Sequence, residues 1–326
     1  MTTRSKRRTA TLTAVAIVVM TAAAACVPTA PPATTTTTTT STSTTSTTAS
    51  TTTTTEAPPV FTPAVTFSST TELAQTGSTV TVTGTGFDPS LITPAGTPPA
   101  TAIAGIYVAI GIGDGPVPTA YTSAKYVRPT GPDPQTASGA KLQADGSFTA
   151  TIATPALFAA QNQAVNCYLD SCKVFVWSAH TGWYAAWNAA APVTFAPATT
   201  KQVVVSKSTN LAYWGETVSV TGAGFPATAP GIYVGQLPWT EATAPAGWNL
   251  DAAAWGSTKF LSYPTGISAA GTFRTTIDAA AVIGSSSTDC SVTACSIGTV
   301  RAHGQADPSG SLTSWSPIGF AAAPAT

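Results

Sequence analysis

The sequence predicts an all-β protein: two tandem β-sandwiches preceded by an export signal and a Ser/Thr-rich segment. Three observations predict it. A set of strand-like motifs occurs twice at nearly constant spacing, apolar and polar residues alternate with a period of two inside those motifs, and the segment ahead of them has a composition that builds no core.

The N-terminus combines Arg4, Lys6, Arg7 and Arg8 with an apolar run from Leu12 to Met20 and the small residues Ala22 to Ala25. That pattern is a secretory signal peptide over residues 1–25, with an apolar stretch well short of the roughly 20 residues that span a bilayer. Ala23-Ala24-Ala25-Cys26 resembles a bacterial lipobox, in which the cysteine takes a diacylglyceryl group and becomes the new N-terminus. It departs from the usual pattern at Ala23, where leucine is common, and the same alanines also suit ordinary cleavage followed by free secretion. Cysteine arithmetic favours the lipid. The other four cysteines form two matched pairs, Cys167/Cys172 and Cys290/Cys295, which leaves Cys26 unpaired in an exported chain. The expected location is the extracellular face of the cell membrane, with Cys26 as the lipid-anchored partner of the bilayer.

From Thr34 to Thr55 every residue except Ala49 is Ser or Thr, and prolines flank the tract. Residues 26–60 therefore read as a disordered, extended stalk. The signal peptide carries four of the thirteen basic residues and none of the thirteen acidic ones, so nine basic residues remain against thirteen acidic, a net charge of minus four. Nucleic-acid binding needs a basic footprint, and none remains.

The repeat is explicit. Thr79-Val80-Thr81-Val82-Thr83-Gly84-Thr85-Gly86-Phe87 recurs 138 residues on as Thr217-Val218-Ser219-Val220-Thr221-Gly222-Ala223-Gly224-Phe225, and Gly105-Ile106-Tyr107-Val108 recurs 126 on as Gly231-Ile232-Tyr233-Val234. The drop of twelve locates an insertion in the Pro-rich stretch Leu91 to Ala104. Later landmarks hold their spacing: Gly146-Ser147-Phe148 and Gly271-Thr272-Phe273 at 125, Cys167 and Cys290 at 123, Phe195 and Phe320 at 125. Alternation over Thr79–Thr83, Ser147–Ile152 and Val174–Trp177, with a turn at Asp145-Gly146, is strand patterning. Two domains follow, 61–197 and 198–326, each long enough to bury a core.

Val-Thr-Gly-x-Gly-Phe, the Tyr233-Val234-Gly235-Gln236 run and the Cys-x4-Cys pairs together resemble the neocarzinostatin family of actinobacterial chromophore carriers. The second copy is the closer match; in the first, Ala109-Ile110 stand where Gly235-Gln236 stand in the second. The resemblance implies a seven-stranded immunoglobulin-like sandwich for each copy, with a ligand cleft on one face. It departs at Leu237, where the carriers have a cysteine of a second disulfide on the cleft floor. The modules are also similar to those that accompany haem-uptake domains on actinobacterial surfaces. Metal and redox sites read as Cys-x-x-Cys with more ligands nearby, so each Cys-x4-Cys pair reads as a structural disulfide of about 2 kcal/mol.

Candidate ligand-binding residues are His180, Trp183, Gln236, Trp239 and His303. The two histidines each follow the second cysteine of a pair by eight residues, where the resemblance places the loop beside the cleft, and a haem or another apolar ligand is the corresponding cofactor expectation. The plainer reading is a solvated loop histidine copied with its repeat. Trp183, Tyr184, Trp187, Trp239, Trp248, Trp255 and Trp315 offer rings that stack on sugars or line an apolar pocket, as for a cell-envelope glycan, while Trp177 is expected in the core. Neither a Gly-x-Ser-x-Gly elbow nor a phosphate loop ahead of a helix occurs, and Gly111-Ile112-Gly113 lacks the third glycine of a dinucleotide motif. The expectation is a non-enzymatic, surface-displayed binding or structural module. A small-molecule carrier is the alternative, and the family's DNA-directed antimicrobial activity ranks below it.

Overall fold

Why the Gly-x-Gly-Phe motif recurs is visible in the core. A side chain at Gly84 would collide with the Phe148 ring, and one at Gly222 with the Phe273 ring. The second glycine of each motif, Gly86 or Gly224, has φ of 68° or 79° and presses on the carbonyl of Thr62 or Thr200. The reversal delivers the following aromatic inward, where Phe87 meets Phe148 edge-on at 5.2 Å and Phe225 meets Phe273 at 5.2 Å. Burying each such ring contributes roughly 1.5–3 kcal/mol.

The computed structural model describes residues 60–92, 103–129, 139–179, 184–228, 230–244, 252–303 and 313–324, together with 307 and 310. The signal segment, Cys26, the Ser/Thr tract, His180, Trp183, Trp248 and much of the Leu91–Ala104 insertion lie outside these residues.

The first sandwich comprises β1 (Ala64–Phe67), β2 (Ser78–Thr85), β3 (Ile106–Ile112), β4 (Ala120–Arg128), β5 (Ala140–Lys141), β6 (Phe148–Thr154), β7 (Leu157–Ala160), β8 (Gln163–Asn166), β9 (Cys172–Ser178) and β10 (Ala189–Pro192). One sheet runs β1-β2-β6 and the other β10-β9-β3-β4-β5, with β7-β8 a separate hairpin. The second comprises β11 (Gln202–Val205), β12 (Glu216–Ala223), β13 (Gly231–Leu237), β14 (Thr258–Ser262), β15 (Phe273–Ala279), β16 (Val282–Ile283), β17 (Thr288–Asp289), β18 (Cys295–Arg301) and β19 (Ser314–Ile318). Its sheets run β11-β12-β15 and β14-β13-β18-β19, with hairpin β16-β17. Both copies therefore have the three-plus-four Greek-key order of an immunoglobulin-like sandwich; the first adds the short β5, paired parallel to β4. Strict alternation shows in β6, where Phe148, Ala150, Ile152 and Thr154 are buried and the residues between them exposed.

Two disulfides, Cys167–Cys172 and Cys290–Cys295, staple the loop that enters β9 or β18. Asp145 accepts from the Ser147 amide at 2.9 Å, and Gly146 takes φ of 79°, completing the expected turn.

From Pro58 onward the chain forms one compact unit, and a built joint holds the sandwiches together. Hairpin β7-β8 lies on β11 and β12, where Ala156, Leu157 and Ala223 are buried with Tyr168, Phe195, Ala198 and Val204. Asn166 donates to Thr221 Oγ1 at 2.9 Å and to the Gly222 carbonyl at 3.0 Å, both bonds buried. Gln75 clamps the connection between the sandwiches: Oε1 accepts from the Thr199 and Thr200 amides, and Nε2 donates to the Thr200 carbonyl. Arg274 adds an ion pair to Asp170 at 2.5 Å.

Candidate functional site

The four-stranded sheet of each sandwich turns one face to the core and the other outward. In the second copy Ile232, Val234 and Ile297 point inward, so their neighbours Tyr233, Gly235, Gly298 and Val300 point outward. Gly235 pairs with Gly298, and Trp315 of β19 lies opposite Gly298 with its ring where a Gly298 side chain would stand. Tyr233 pairs with Phe260 of β14, their rings 5.5 Å apart. His303 follows β18 in a left-handed conformation, φ 59°, which histidine tolerates better than most residues. Its imidazole sits edge-on to Phe260 at 4.9 Å and to Tyr233 at 6.0 Å. Trp255 stands edge-on to Tyr233 at 6.1 Å, and its buried indole N–H has no hydrogen-bond partner among the described residues.

His303, Phe260 and Tyr233 thus form an exposed aromatic shelf. Phe260 is 44% exposed and His303 is exposed. A shelf of this kind suits a flat apolar ligand or a sugar ring stacked on one face. Among the described residues one imidazole, that of His303, stands open at the shelf. Among the described residues no group of three His, Cys, Asp or Glu side chains could hold a metal ion.

Gln236 is not on the shelf. It is fully buried, donates from Nε2 to the Ala280 carbonyl at 2.7 Å, accepts at Oε1 from the Ala280 amide at 3.0 Å and approaches Cys290 Sγ at 3.5 Å. Its amide ties β13 to the bend between β15 and β16 and supports the disulfide loop. Trp239 is half-buried just beyond β13. Leu237 is buried and packs its Cδ1 toward Gly298.

The equivalent outer face of the first sandwich is filled. Ala109, Phe175 and Trp177 are buried there with Tyr107, Val117 and Tyr121, apart from the main core. Trp177 is buried as expected, at 6% exposure, but on the outer side of the sheet. The reason is register: Val174 and Val176 take the inward positions, so the residue after each faces out. Trp177 contacts Tyr107 at 5.3 Å and Tyr121 at 5.3 Å, and burial with the nearby Tyr121 raises the Tyr107 hydroxyl pKa. Trp187, grouped by sequence with the surface rings, is instead a core residue against Phe87 at 5.5 Å.

Tyr233 and Phe260 were not singled out by sequence reasoning. The signal was present: Tyr107 and Tyr233 occupy the same place in the repeated Gly-Ile-Tyr-Val, one residue out of phase with the core.

No family model matches the chain, and no curated protein matches it. Among solved structures, the chain is similar to the adhesin FdeC of Escherichia coli at 15% identity and a TM-score of 0.22, covering 82% of this chain. It is similar to the adhesin InvE of Yersinia pseudotuberculosis at 11% and 0.22, covering 80%, and to a Salmonella alpha-2-macroglobulin at 13% and 0.20, covering 80%. The chain spans 66%, 59% and 15% of the length of those three chains. Scores this low tie it to none of them. No helix among the described residues is long and apolar enough to cross a membrane.

Proposed function

We propose that the chain is a non-enzymatic display module: a lipid at Cys26, a Ser/Thr stalk, and two neocarzinostatin-type sandwiches, 61–197 and 198–326, held outside an actinobacterial membrane. The observation that carries this reading is the joint. Asn166 is buried and spends its side-chain amide on Thr221 and Gly222 of the other sandwich, which suits a stiff two-part spacer. The functional groups at either candidate face are rings, and the turn carboxylates of Asp145 and Asp289 cap the amides of Ser147 and Ser291.

Fractionation of the expressing cells tests the reading. The wild-type chain is expected in the membrane fraction and in the detergent phase on phase partition, and Cys26→Ser is expected in the medium. A cytoplasmic pool of mature wild-type protein would overturn it.

A second reading, carriage of a small apolar ligand or an envelope glycan, is favoured by the shelf of Tyr233, Phe260 and His303, which offers one flat apolar face to stack on.

A further inference from the structure

We propose that the far end of the second sandwich docks the β1-β2 face of a second copy of this chain, so that chains associate head to tail through a repetition of the joint they already contain. The inference is independent of the lipid anchor and of what the aromatic shelf binds.

The gripping half of the internal joint consists of hairpin β7-β8, the disulfide loop after it and the turn at Gln75. The second sandwich carries the same elements on the same backbone scaffold. Ala156 donates to the Gln75 carbonyl at 3.1 Å, and Ala281 to the Tyr213 carbonyl at 3.1 Å; Cys167 donates to Ala156 at 2.8 Å, and Cys290 to Ala281 at 2.7 Å. By these equivalences Val282 stands for Leu157, Asp289 for Asn166, Ser291 for Tyr168, and Tyr213-Trp214 for Gln75-Thr76. In the first sandwich this end is covered, with Leu157 at 2% exposure. In the second it is bare, with Val282 at 45% and Trp214 at 80%. Exposed rings and aliphatic side chains grouped at one end of a sandwich mark an interaction surface.

The receiving half is present in the first sandwich, and no described residue covers it. β11-β12 receive the hairpin with Val204, Ser219, Thr221 and Ala223, and the same positions of β1-β2 are Thr66, Thr81, Thr83 and Thr85, of which Thr66 and Thr85 are exposed. The chemistry remains complementary after the exchange of residues. Where Asn166 donates to Thr221, the Thr83 hydroxyl would donate to the Asp289 carboxylate. Where Gln75 clamps Thr199 and Thr200, the Tyr213–Trp214 pair, packed at 5.0 Å, would face Phe61 and Thr62. The Asp170–Arg274 ion pair has the neutral counterparts Thr293 and Thr149, so no like charges meet.

Two different surfaces of one chain make a heterologous contact that extends instead of closing. With Val for Leu and Ser for Tyr the contact is weaker than the internal joint.

The test is sedimentation velocity on the exported chain carrying Cys26→Ser, so that no lipid drives association, from micromolar to millimolar concentration. The expected result is a weight-average sedimentation coefficient that rises with concentration. Val282→Asp with Trp214→Ala on the gripping end, or Thr66→Arg on the receiving end, should each weaken association by about tenfold or more, with the thermal midpoint unchanged. An equimolar mixture of the two variants retains one intact pair of surfaces and should recover dimers but no longer species. A parent chain that stays monomeric throughout, or a mixture that recovers nothing, overturns the proposal.

Discussion

The outer faces of the two sandwiches share strand order and register and differ in how they use aromatic residues. In the first, Phe175 and Trp177 fill the space over Ala109, and Tyr107 and Tyr121 close around them. In the second, the positions of Phe175 and Trp177 are Gly298 and Val300, and that of Ala109 is Gly235. The middle of the second face is taken instead by Trp315, whose ring stands where a Gly298 side chain would, while both copies keep an aromatic pair at the rim, Tyr107 with Tyr126 and Tyr233 with Phe260, of which Phe260 is 44% exposed. The first face spends its rings on its own stability, and the second leaves them available. Duplication followed by this exchange separates a structural sandwich from one with a surface to offer.

Truncating one ring on each face should give the largest difference. Trp177→Ala removes a buried indole and is expected to destabilise the protein by about 3–5 kcal/mol. Phe260→Ala removes a ring already half in water and should cost within about 1 kcal/mol. Urea denaturation measures both. The ranking should invert for binding: the fluorescence of an added anilinonaphthalene sulfonate probe on the folded chain is expected to fall with Phe260→Ala and to persist at denaturant-free equilibrium with conservative changes at Trp177 such as Trp177→Phe. Equal stability losses would mean that the second face is as closed as the first.

A second contrast lies at the bend before the small hairpin. Gln236 satisfies both the N–H and the C=O of Ala280. In the first sandwich the position of Ala280 is Pro155, which has no N–H, and that of Gln236 is Ile110, which has no amide. Each pair is consistent within itself. Gln236→Ile should leave two partly buried backbone groups without their side-chain partner, at about 1–3 kcal/mol by thermal or urea denaturation, and adding Ala280→Pro should restore part of the loss because one of those groups is gone. A strictly additive double mutant would sink this account of the pairing.

The repeated motifs made the fold legible, because the internal alignment separates residues kept for packing from residues free to change. Gly84, Gly86 and Phe87 with their second-copy equivalents are of the first kind, and the alternation in β6 assigned its burial directly. The candidate site was less legible. Gln236 looked like a cleft residue because its neighbours match a family motif, yet a one-residue step along a strand reverses the face, and its partner is a backbone group 44 residues away. Trp177 followed the reverse course: hydrophobicity implied burial, and only the sheet register shows which face buries it. The shelf needed the β13-β14 pairing to bring Phe260 beside Tyr233, and no local pattern encodes that.

The smallest contrast is a turn cap. In the first sandwich Ser78 Oγ accepts from the Ala74 amide at 2.8 Å; at the equivalent place Glu216 accepts from Ala212 at 3.1 Å and also holds Lys207 at 2.7 Å. The Lys207 ammonium, then the Ala212 amide, lower the Glu216 pKa below its ordinary value. A carboxyl whose folded pKa is lowered adds stability above its unfolded pKa and loses it as pH falls through the folded value. The second cap should therefore weaken on acidification through the carboxylate range, whereas the hydroxyl cap on the first does not titrate. Both partners are about a third exposed, so the effect is small. Glu216→Ser makes the two caps alike, and the acid limb of the thermal midpoint against pH should flatten relative to wild type, with little change near neutrality beyond the lost ion pair. An unchanged acid limb would mean that the Lys207–Glu216 pair does not persist in solution.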